Sequence, residues 1–258
     1  MRRAVVTGLG IVSCLGNSLQ EVEIALREAR CGIRYVEEHA NVGLRSCVAG
    51  IPDVSREPRI DRKFRRFMAD AAIYAHHAMR RALEDAGLSP ARISHPRIGL
   101  IVGSGVGSLF EHSQAVGILQ TKGLQAVLPY VVPRIMGSTA SANLATAYCI
   151  EGPSYSITSA CATSAHCLGH AAELIQLGKQ DIVFAGGSEE VRWTSTAMFD
   201  AMGALSTGHN DTPGLASRPF DTGRDGFVIA GGAGIVVVEE LEHARARRAR
   251  IYAEISGY

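Results

Sequence analysis

Short apolar runs alternate with longer, helix-like stretches along the whole chain. Three runs rich in β-branched residues predict buried strands, at 2–7, 98–102 and 181–185. Apolar residues recur at helical spacing in three longer segments, at 18–31, 61–86 and 161–178. Buried strands that alternate with helices predict an α/β chain with a largely buried sheet.

Local signals predict where several of these elements begin and end. Ser18 and Glu21 fit a capping box at the start of the first helix. Gly8 and Gly10 are expected to close the first strand, and Gly87 is expected to end the long helix. These positions divide the first third of the chain into strand, helix and helix.

The remaining segments carry weaker patterns. Residues 33–58 suit an irregular excursion over the surface, and residues 155–159 alternate like a strand. Segments 227–230 and 235–239 flank a run of glycines and predict a β-hairpin. Two further elements follow, a basic helix and a last strand, at 243–250 and 251–255. No closing helix follows that strand, so the chain looks interrupted after Tyr258.

The composition is that of an ordinary globular protein. The 258 residues are 47% hydrophobic and 20% charged, and 26 basic residues face 25 acidic ones. A net charge of +1 predicts no general binding to nucleic acid. No apolar run approaches the ~18 residues of a membrane span, so we expect no contact with a membrane.

The cysteine pattern and the N-terminus predict a cytoplasmic protein. The six cysteines form neither a CxxC pair nor a zinc-ligand spacing, which disfavours disulfides and a metal site. Residues 1–14 loosely resemble a lipoprotein signal, but the apolar stretch before Cys14 is short and interrupted by glycines. Export is therefore disfavoured.

Cys161 lies at the junction that carries the clearest chemical signal. Strand-like residues lead directly to it, and we expect it in the first turn of a buried helix. Free N–H groups and the positive end of the helix dipole favour an anion there. This setting favours a thiolate nucleophile, and the same N–H groups can hold the oxyanion formed when it attacks a thioester. A small buried cysteine is the alternative, and context alone does not separate the two.

No other residue is a convincing partner for Cys161. His166 and His170 lie about 140° and 180° round the helix from it, too far to turn back to the sulfur. The remaining histidines considered are expected at the surface, namely His76, His77, His95, His112, His209 and His243. The other cysteines are expected to pack in the core, namely Cys14, Cys31, Cys47, Cys149 and Cys167.

The glycine-rich loops do not match a nucleotide fingerprint. Gly103, Gly105 and Gly107 follow a strand, but Ser108 stands where the dinucleotide motif requires glycine. A nucleotide-dependent oxidoreductase is therefore disfavoured. The glycines are better explained by a tight turn or by the close approach of a substrate.

A basic cluster surrounds a single acid at the start of the long helix. It comprises Arg59, Arg62, Lys63, Arg65 and Arg66 around Asp61. Positive charge at a helix N-terminus is unfavourable for the helix dipole. The cluster is therefore either merely solvated or a docking surface for an acidic partner.

Several motifs together resemble the β-ketoacyl-acyl-carrier-protein synthases of fatty-acid biosynthesis, in particular the synthase I type. They are 5–10 (VVTGLG), 60–63 (IDRK), 159–167 (SACATSAHC), 176–181 (QLGKQD), 199–206 (FDAMGALS) and 224–227 (RDGF). A cysteine rather than a glutamine at position 161 distinguishes the chain from the related chain-length factors, which cannot be acylated. The resemblance implies a thiolase-like fold with a mixed, mostly buried sheet covered by helices, plus an inserted irregular and helical region.

The resemblance also implies a reaction. An acyl group moves from the phosphopantetheine of acyl carrier protein to Cys161, malonyl carrier protein loses carbon dioxide, and the resulting carbanion attacks the acyl-enzyme. The product is a β-ketoacyl thioester two carbons longer. The acyl and malonyl thioesters are substrates, and the resemblance implies neither a cofactor nor a metal.

Other residues receive roles by the same resemblance. The acyl tunnel is expected to be lined by Val106, Met136, Ala160 and Phe199, and the carrier protein to be met by Arg62, Lys63, Arg66 and Lys122. The strand at 155–159 is expected to pair across a homodimer axis. Two positions depart from the family pattern. Val106 stands where glycine is frequent, and Gln125 stands where a basic residue is common.

Family members run to about 400 residues in two similar halves. Residues 1–250 correspond to the N-terminal half, and residues 251–258 are expected to begin the C-terminal half. The motifs of that second half, including the histidines and lysine of malonyl decarboxylation, are missing from this sequence. We therefore expect no elongation by residues 1–258 alone. The alternative function is a half-length, non-elongating protein that binds acyl carrier protein or a full-length synthase.

Overall fold

A computed structural model describes residues 2–258. The described chain contains nine strands, which are β1 (Ala4–Val12), β2 (Arg34–Tyr35), β3 (Val48–Gly50), β4 (Ile98–Gly103), β5 (Ser154–Tyr155), β6 (Ile182–Glu189), β7 (Ile229–Ala230), β8 (Gly232–Glu240) and β9 (Ala253–Glu254). The three strands expected from apolar runs are confirmed as β1, β4 and β6.

The same residues form eleven α-helices and three short 3-10 turns. The helices are α1 (Leu19–Arg27), α2 (Glu37–Asn41), α3 (Arg62–Arg65), α4 (Asp70–Asp85), α5 (Pro90–Ile93), α6 (Leu109–Lys122), α7 (Val131–Ile135), α8 (Thr139–Tyr148), α9 (Thr163–Gln176), α10 (Trp193–Ala201) and α11 (Leu241–Ala246). The 3-10 turns are Leu124–Ala126, Ala160–Ala162 and Pro213–Leu215. Within residues 2–258, no helix has both the length and the apolar composition needed to cross a bilayer.

A six-stranded mixed sheet forms the centre, in the order β5-β4-β6-β8-β1-β9. Strand β4 runs parallel to β5 and β6, whereas β8 is antiparallel to both β1 and β6. Side chains alternate across it, so that Leu100 and Val102 pack under α4 and α8 while Ile101 packs against α9. Helices cover both faces, which confirms the largely buried sheet.

The first strand runs through both glycines that were expected to close it. A Cβ atom on Gly8 would lie 2.6 Å from the carbonyl oxygen of Ala82, and one on Gly10 would lie 1.9 Å from that of Ala78. Both carbonyls belong to α4. The glycines therefore allow α4 to press directly on β1 and do not end the strand.

The helix expected over 61–86 is two helices. The short α3 has no buried residue, whereas α4 buries ten of its sixteen residues on the sheet. Met68, in the turn between them, is 1% exposed, and its carbonyl accepts a bond of 3.0 Å from the Arg65 guanidinium. The turn therefore separates α3, which is basic and exposed, from α4, which packs on the central sheet.

The hairpin expected around residues 231–234 does not form. Strand β7 pairs with β3 in a separate three-stranded sheet, while β8 joins the central sheet. The N–H of Gly231 donates to the carbonyl of Gly50 at 3.0 Å. Residues 33–58 are thus more regular than expected, because they supply two strands of this second sheet.

Capping and termination follow the local signals only in part. Ser18 and Glu21 form both bonds of the capping box at the start of α1. That helix ends at Arg27, four residues before the expected end at Cys31, and Ala29 adopts a φ of 50°. Gly87 and Gly178, with φ of 65° and 70°, lie just beyond the ends of α4 and α9 as expected.

Candidate active site

Cys161 lies in the 3-10 turn Ala160–Ala162, immediately before α9 begins at Thr163. The expectation that it occupies the first turn of the α-helix is therefore wrong by two residues. Ala160 adopts a φ of 49°, a left-handed conformation that is unfavourable for a residue with a Cβ. This conformation places strain directly before the cysteine, whose side chain is exposed.

The segment that approaches Cys161 is held by side chains instead of a strand ladder. The predicted strand at 155–159 pairs only at Ser154–Tyr155. Beyond it, Ser156 donates to the carbonyl of Val102 at 2.6 Å and Thr158 donates to that of Ser104 at 3.0 Å. Hydroxyl groups replace backbone pairing here, which lets the chain leave the sheet and turn.

A cavity of about 360 Å³ lies beside Cys161, at the ends of β4, β6 and β8. Its wall includes the backbones of Gly103 and Gly187. A Cβ atom on Gly103 would lie 2.1 Å from the carbonyl oxygen of Ile157, and one on Gly187 would lie 2.5 Å from the hydroxyl of Ser164. The group that approaches Gly103 is therefore the cysteine segment of the chain itself, whereas the close approach of a substrate stays a prediction.

Glu189 is a titratable group in the wall of the same cavity. Its carboxylate accepts a hydrogen bond from the N–H of Gly105. Burial raises the pKa of Glu189, and the Gly105 N–H acts in the opposite direction. Glu189 was not expected in the site, because the strand predicted at 181–185 is shorter than β6, which ends at Glu189.

The structure leaves Cys161 without a histidine partner. His166 bonds through Nδ1 to the Ser159 hydroxyl at 2.6 Å, and within residues 2–258 the Cys161 sulfur makes no hydrogen bond. This agrees with the expectation from helical spacing.

Two histidines and two cysteines do not lie where they were expected. His77 is 4% exposed and His76 packs on the Tyr148 ring, with centroids 5.2 Å apart. Both were expected at the surface, but they lie where α4 meets α8 and the Glu57 loop. Cys31 and Cys149 were expected in the core and are exposed instead, because they lie just beyond the ends of α1 and α8.

The four residues expected to line the acyl tunnel are not gathered in one cavity. Ala160 borders the Cys161 cavity, whereas Met136 borders a separate cavity of about 450 Å³ with Phe64 and Phe67. Val106 is 51% exposed and Phe199 is 40% exposed, and neither borders these cavities. Their shared role stays a prediction.

The expected docking residues are exposed. Asp61 caps α3, because its carboxylate accepts a hydrogen bond from the Lys63 N–H at 2.9 Å. Its negative charge partly compensates the unfavourable positive charge at the start of that helix. Arg62, Lys63 and Arg66 project into solvent from this short helix and its end. Lys122 is exposed at the last residue of α6.

Comparison with known proteins decides the family. The model "Beta-ketoacyl synthase, N-terminal domain" matches residues 1–244. The chain belongs to the β-ketoacyl synthase family. The resemblance inferred from the motifs is confirmed.

Similar curated proteins are β-ketoacyl synthases of bacteria. The chain is 60% identical to 3-oxoacyl-[acyl-carrier-protein] synthase 1 of Escherichia coli K12 and 55% identical to that of Haemophilus influenzae. Each match covers 100% of this chain and 64% of the relative. The chain therefore spans less than two thirds of the length of these synthases.

Solved structures show the same fold. A β-ketoacyl synthase from Burkholderia phymatum matches with a TM-score of 0.90 and 37% identity, covering 99% of this chain and 63% of that one. A type II polyketide ketosynthase, solved in complex with its acyl-carrier protein, matches with a TM-score of 0.85 and 32% identity. It covers 99% of this chain and 62% of that one. The expected α/β, thiolase-like fold is confirmed.

Proposed function

We propose that Cys161 accepts an acyl group from a thioester, the first step of a β-ketoacyl synthase reaction. The observation that carries the proposal is an exposed cysteine on a strained turn beside a cavity, in a chain of this family. The sulfur attacks the carbonyl carbon of the thioester, and the carbon–sulfur bond to the carrier breaks. The carrier thiolate leaves and takes up the proton that the cysteine released.

The local backbone supports stabilisation of the intermediate. The Ala162 N–H is already used, because it donates to the carbonyl of Ser159 at 3.0 Å. Within residues 2–258 the Cys161 N–H has no acceptor, so it can donate to the developing oxyanion. A second donor to the oxyanion would complete the hole.

The full reaction is a decarboxylative Claisen condensation with malonyl-acyl carrier protein, in fatty-acid elongation. It needs proton-handling groups around the acyl-enzyme, and none lies within hydrogen-bonding distance of the Cys161 sulfur in residues 2–258. We therefore propose that residues 1–250 supply the nucleophile half, that 251–258 begin the other half, and that this chain elongates only when that half is present. Neither a metal nor a cofactor takes part, because phosphopantetheine of the carrier holds the substrate.

The partners follow from the surface. The basic residues Arg62, Lys63 and Arg66 on and beside α3, together with Lys122, form a docking surface for the acidic acyl carrier protein. Strand β5 lies at the edge of the central sheet, which supports the expected pairing of the 155–159 segment across a homodimer axis. The free cysteines support a cytoplasmic location.

Transfer of the acyl group can be followed by intact mass. The chain is mixed with acyl-acyl carrier protein, and we expect a gain of one acyl group that is lost in Cys161→Ala. Cys149→Ala removes another exposed cysteine and serves as the matched control. An adduct that persists in Cys161→Ala, or no adduct on the wild-type chain, contradicts the proposal.

The second candidate, a non-elongating carrier-binding protein, is favoured only by the exposed α3 surface. The same experiment separates it from the first. Binding of acyl carrier protein that weakens in Lys63→Glu, with no acyl adduct at Cys161, supports the second candidate.

A further inference from the structure

Two consecutive carboxylates hold the glycine-rich loop 103–108 at its middle and at its C-terminal end. Glu189, the last residue of β6, accepts a bond from the Gly105 N–H. Glu190 accepts bonds from the Ser108 hydroxyl at 2.6 Å and from the Phe110 N–H at 3.1 Å. Glu190 is 5% exposed and Ser108 is 1% exposed, so these bonds are shielded from water.

The loop held in this way separates Cys161 from Met136. On one side, a Cβ atom on Gly105 would lie 3.9 Å from the Cα of Ala160. On the other, Gly107 has a φ of 71°, and a Cβ there would lie 2.5 Å from the Ile135 carbonyl and 3.0 Å from that of Met136. Val106, between these two contacts, is therefore carried by a loop with little freedom to move.

The loop is also joined to the cysteine segment itself. The Thr158 hydroxyl donates to the carbonyl of Ser104, and the Ser104 hydroxyl accepts from the Gly107 N–H at 2.9 Å. Glu189 additionally borders the Cys161 cavity. A change at either glutamate thus reaches Cys161 through the loop, without a change in any residue that touches the sulfur.

We propose that Glu189 and Glu190 are positioning residues that fix the loop carrying Val106 and so limit the length of acyl chain that Cys161 accepts. The inference rests on the proposed acyl transfer. Loss of Glu189 leaves the Gly105 N–H without its acceptor, and loss of Glu190 leaves the Ser108 hydroxyl and the Phe110 N–H without theirs. In either case the loop then moves away from Ala160. The space beside Cys161 deepens, and the rate at which long acyl chains react with Cys161 rises relative to the rate for short ones.

The first measurement does not depend on acyl transfer. Cys161 is alkylated with N-alkylmaleimides from ethyl to dodecyl, and its rates are read by peptide mapping, with exposed Cys31 and Cys149 as internal references. In Glu189→Ala and Glu190→Ala we expect the long-to-short rate ratio at Cys161 to rise about tenfold. The glutamine variants keep an acceptor oxygen and should stay closer to the wild type.

The matched control is another buried carboxylate. The side chain of Glu57 is 4% exposed and is bound by Arg80 and Arg81 at 2.8 and 2.7 Å, away from the loop. Glu57→Gln should leave the long-to-short ratio unchanged. If the alanine variants do not fold, Gly105→Ala perturbs the same contact from the loop side, since its Cβ would lie 3.1 Å from Glu189 Oε1.

The second measurement repeats the series with acyl thioesters of four to sixteen carbons. Acylation with an unchanged chain-length profile in the glutamate variants overturns the inference and leaves the proposed function intact. Maleimide ratios that shift while no thioester acylates the wild type overturn the proposed function alone. An equal shift in Glu57→Gln would show that the effect is general destabilisation, and the inference would fail.

Discussion

Helices α4 and α9 cover opposite faces of the central sheet, but they are enclosed to different degrees. Ten of the sixteen residues of α4 are buried, and α8 packs beside it through Ala140 and Leu144. Only half of the fourteen residues of α9 are buried, and Ser164, Ala165 and His166 of its first turn are exposed. The expectation of a buried helix after Cys161 therefore holds for half of the residues of α9 but not for its first turn.

This difference in burial distinguishes the face covered by α4, which stabilises the fold, from the face covered by α9, which carries the candidate site. The α4 face is closed by direct contact between helix and strand backbones at Gly8 and Gly10, which leaves no space for a ligand. The α9 face ends in a strained turn, an exposed thiol and a cavity. Substitutions on the two faces should consequently affect stability to different extents.

The largest effect is expected for Gly10→Ala. Its Cβ would lie 1.9 Å from the Ala78 carbonyl, a backbone atom that cannot rotate away. We expect a loss of at least about 4 kcal/mol in the free energy of unfolding. Chemical denaturation measures it.

The matched variant on the other face is Gly169→Ala in α9. The three atoms nearest to its Cβ would all belong to the ring of Tyr258, an exposed side chain that can move, and alanine favours a helix. A change within about 1 kcal/mol is expected. Equal losses for the two glycines would contradict the comparison.

The next largest effect is expected for Met79→Ala. Met79 is fully buried between α4 and the sheet, so truncation leaves a cavity. We expect a loss of about 3 kcal/mol, measured by urea unfolding. Leu177, just beyond α9, is 66% exposed, and Leu177→Ala should stay within about 0.5 kcal/mol.

Acid should weaken the α4 face through His76. Burial lowers the pKa of His76 to about 4 from the 6.5 of an unperturbed histidine, with the neighbouring His77 and Arg80 contributing. Between these pH values His76 is protonated in the unfolded chain but neutral in the folded chain. The free energy of unfolding therefore decreases as the pH falls from 6.5 to 4.

His76→Phe removes this proton-binding difference. The wild type should lose about 2 kcal/mol more stability than the variant between pH 7 and pH 4. Unfolding in denaturant at several pH values tests this. Parallel pH profiles for the two proteins would show that His76 titrates normally.

The smallest effect is expected at Asp181, beside the end of α9. Hydrogen bonds from Arg97 at 2.6 Å and Arg2 at 2.9 Å lower the pKa of Asp181 to about 2. Its contribution is present above the ordinary pKa of 3.8 and is lost as the pH falls towards 2.

Solvent screens this partly exposed group. Asp181→Asn should therefore cost no more than about 1 kcal/mol at pH 7, with no difference from the wild type near pH 2. Thermal unfolding at the two pH values measures both quantities. A larger loss at pH 2 than at pH 7 would contradict the sign.

Local sequence signals predicted the elements that depend only on neighbouring residues. Ser18 and Glu21 form their capping box because both partners lie within one turn, and Ile98–Gly103 is apolar enough to be buried on both faces. Cys161 was recognised as the candidate nucleophile for the same reason, since its strand–turn–helix setting is local. The motifs around it were sufficient to identify the family.

Contacts between distant segments were not predictable in this way. Nothing near Gly10 shows that Ala78 will press on it, and nothing near Ile229–Ala230 shows that Val48–Gly50 is its partner. Glu189 and Glu190 bind loop 103–108 through hydrogen bonds between residues more than eighty positions apart. Such pairs are selected by how whole elements pack, which no local pattern records.

The sequence alone therefore determined the α/β class, the family and the candidate nucleophile. Only the tertiary structure decided that β1 continues through its glycines, that Cys161 precedes its helix, and that α9 is open at its first turn. The physical reason is the distance along the chain over which each kind of interaction acts. Periodicity and capping act over a few residues, whereas strand pairing, close backbone approach and burial depend on segments that meet only when the chain is folded.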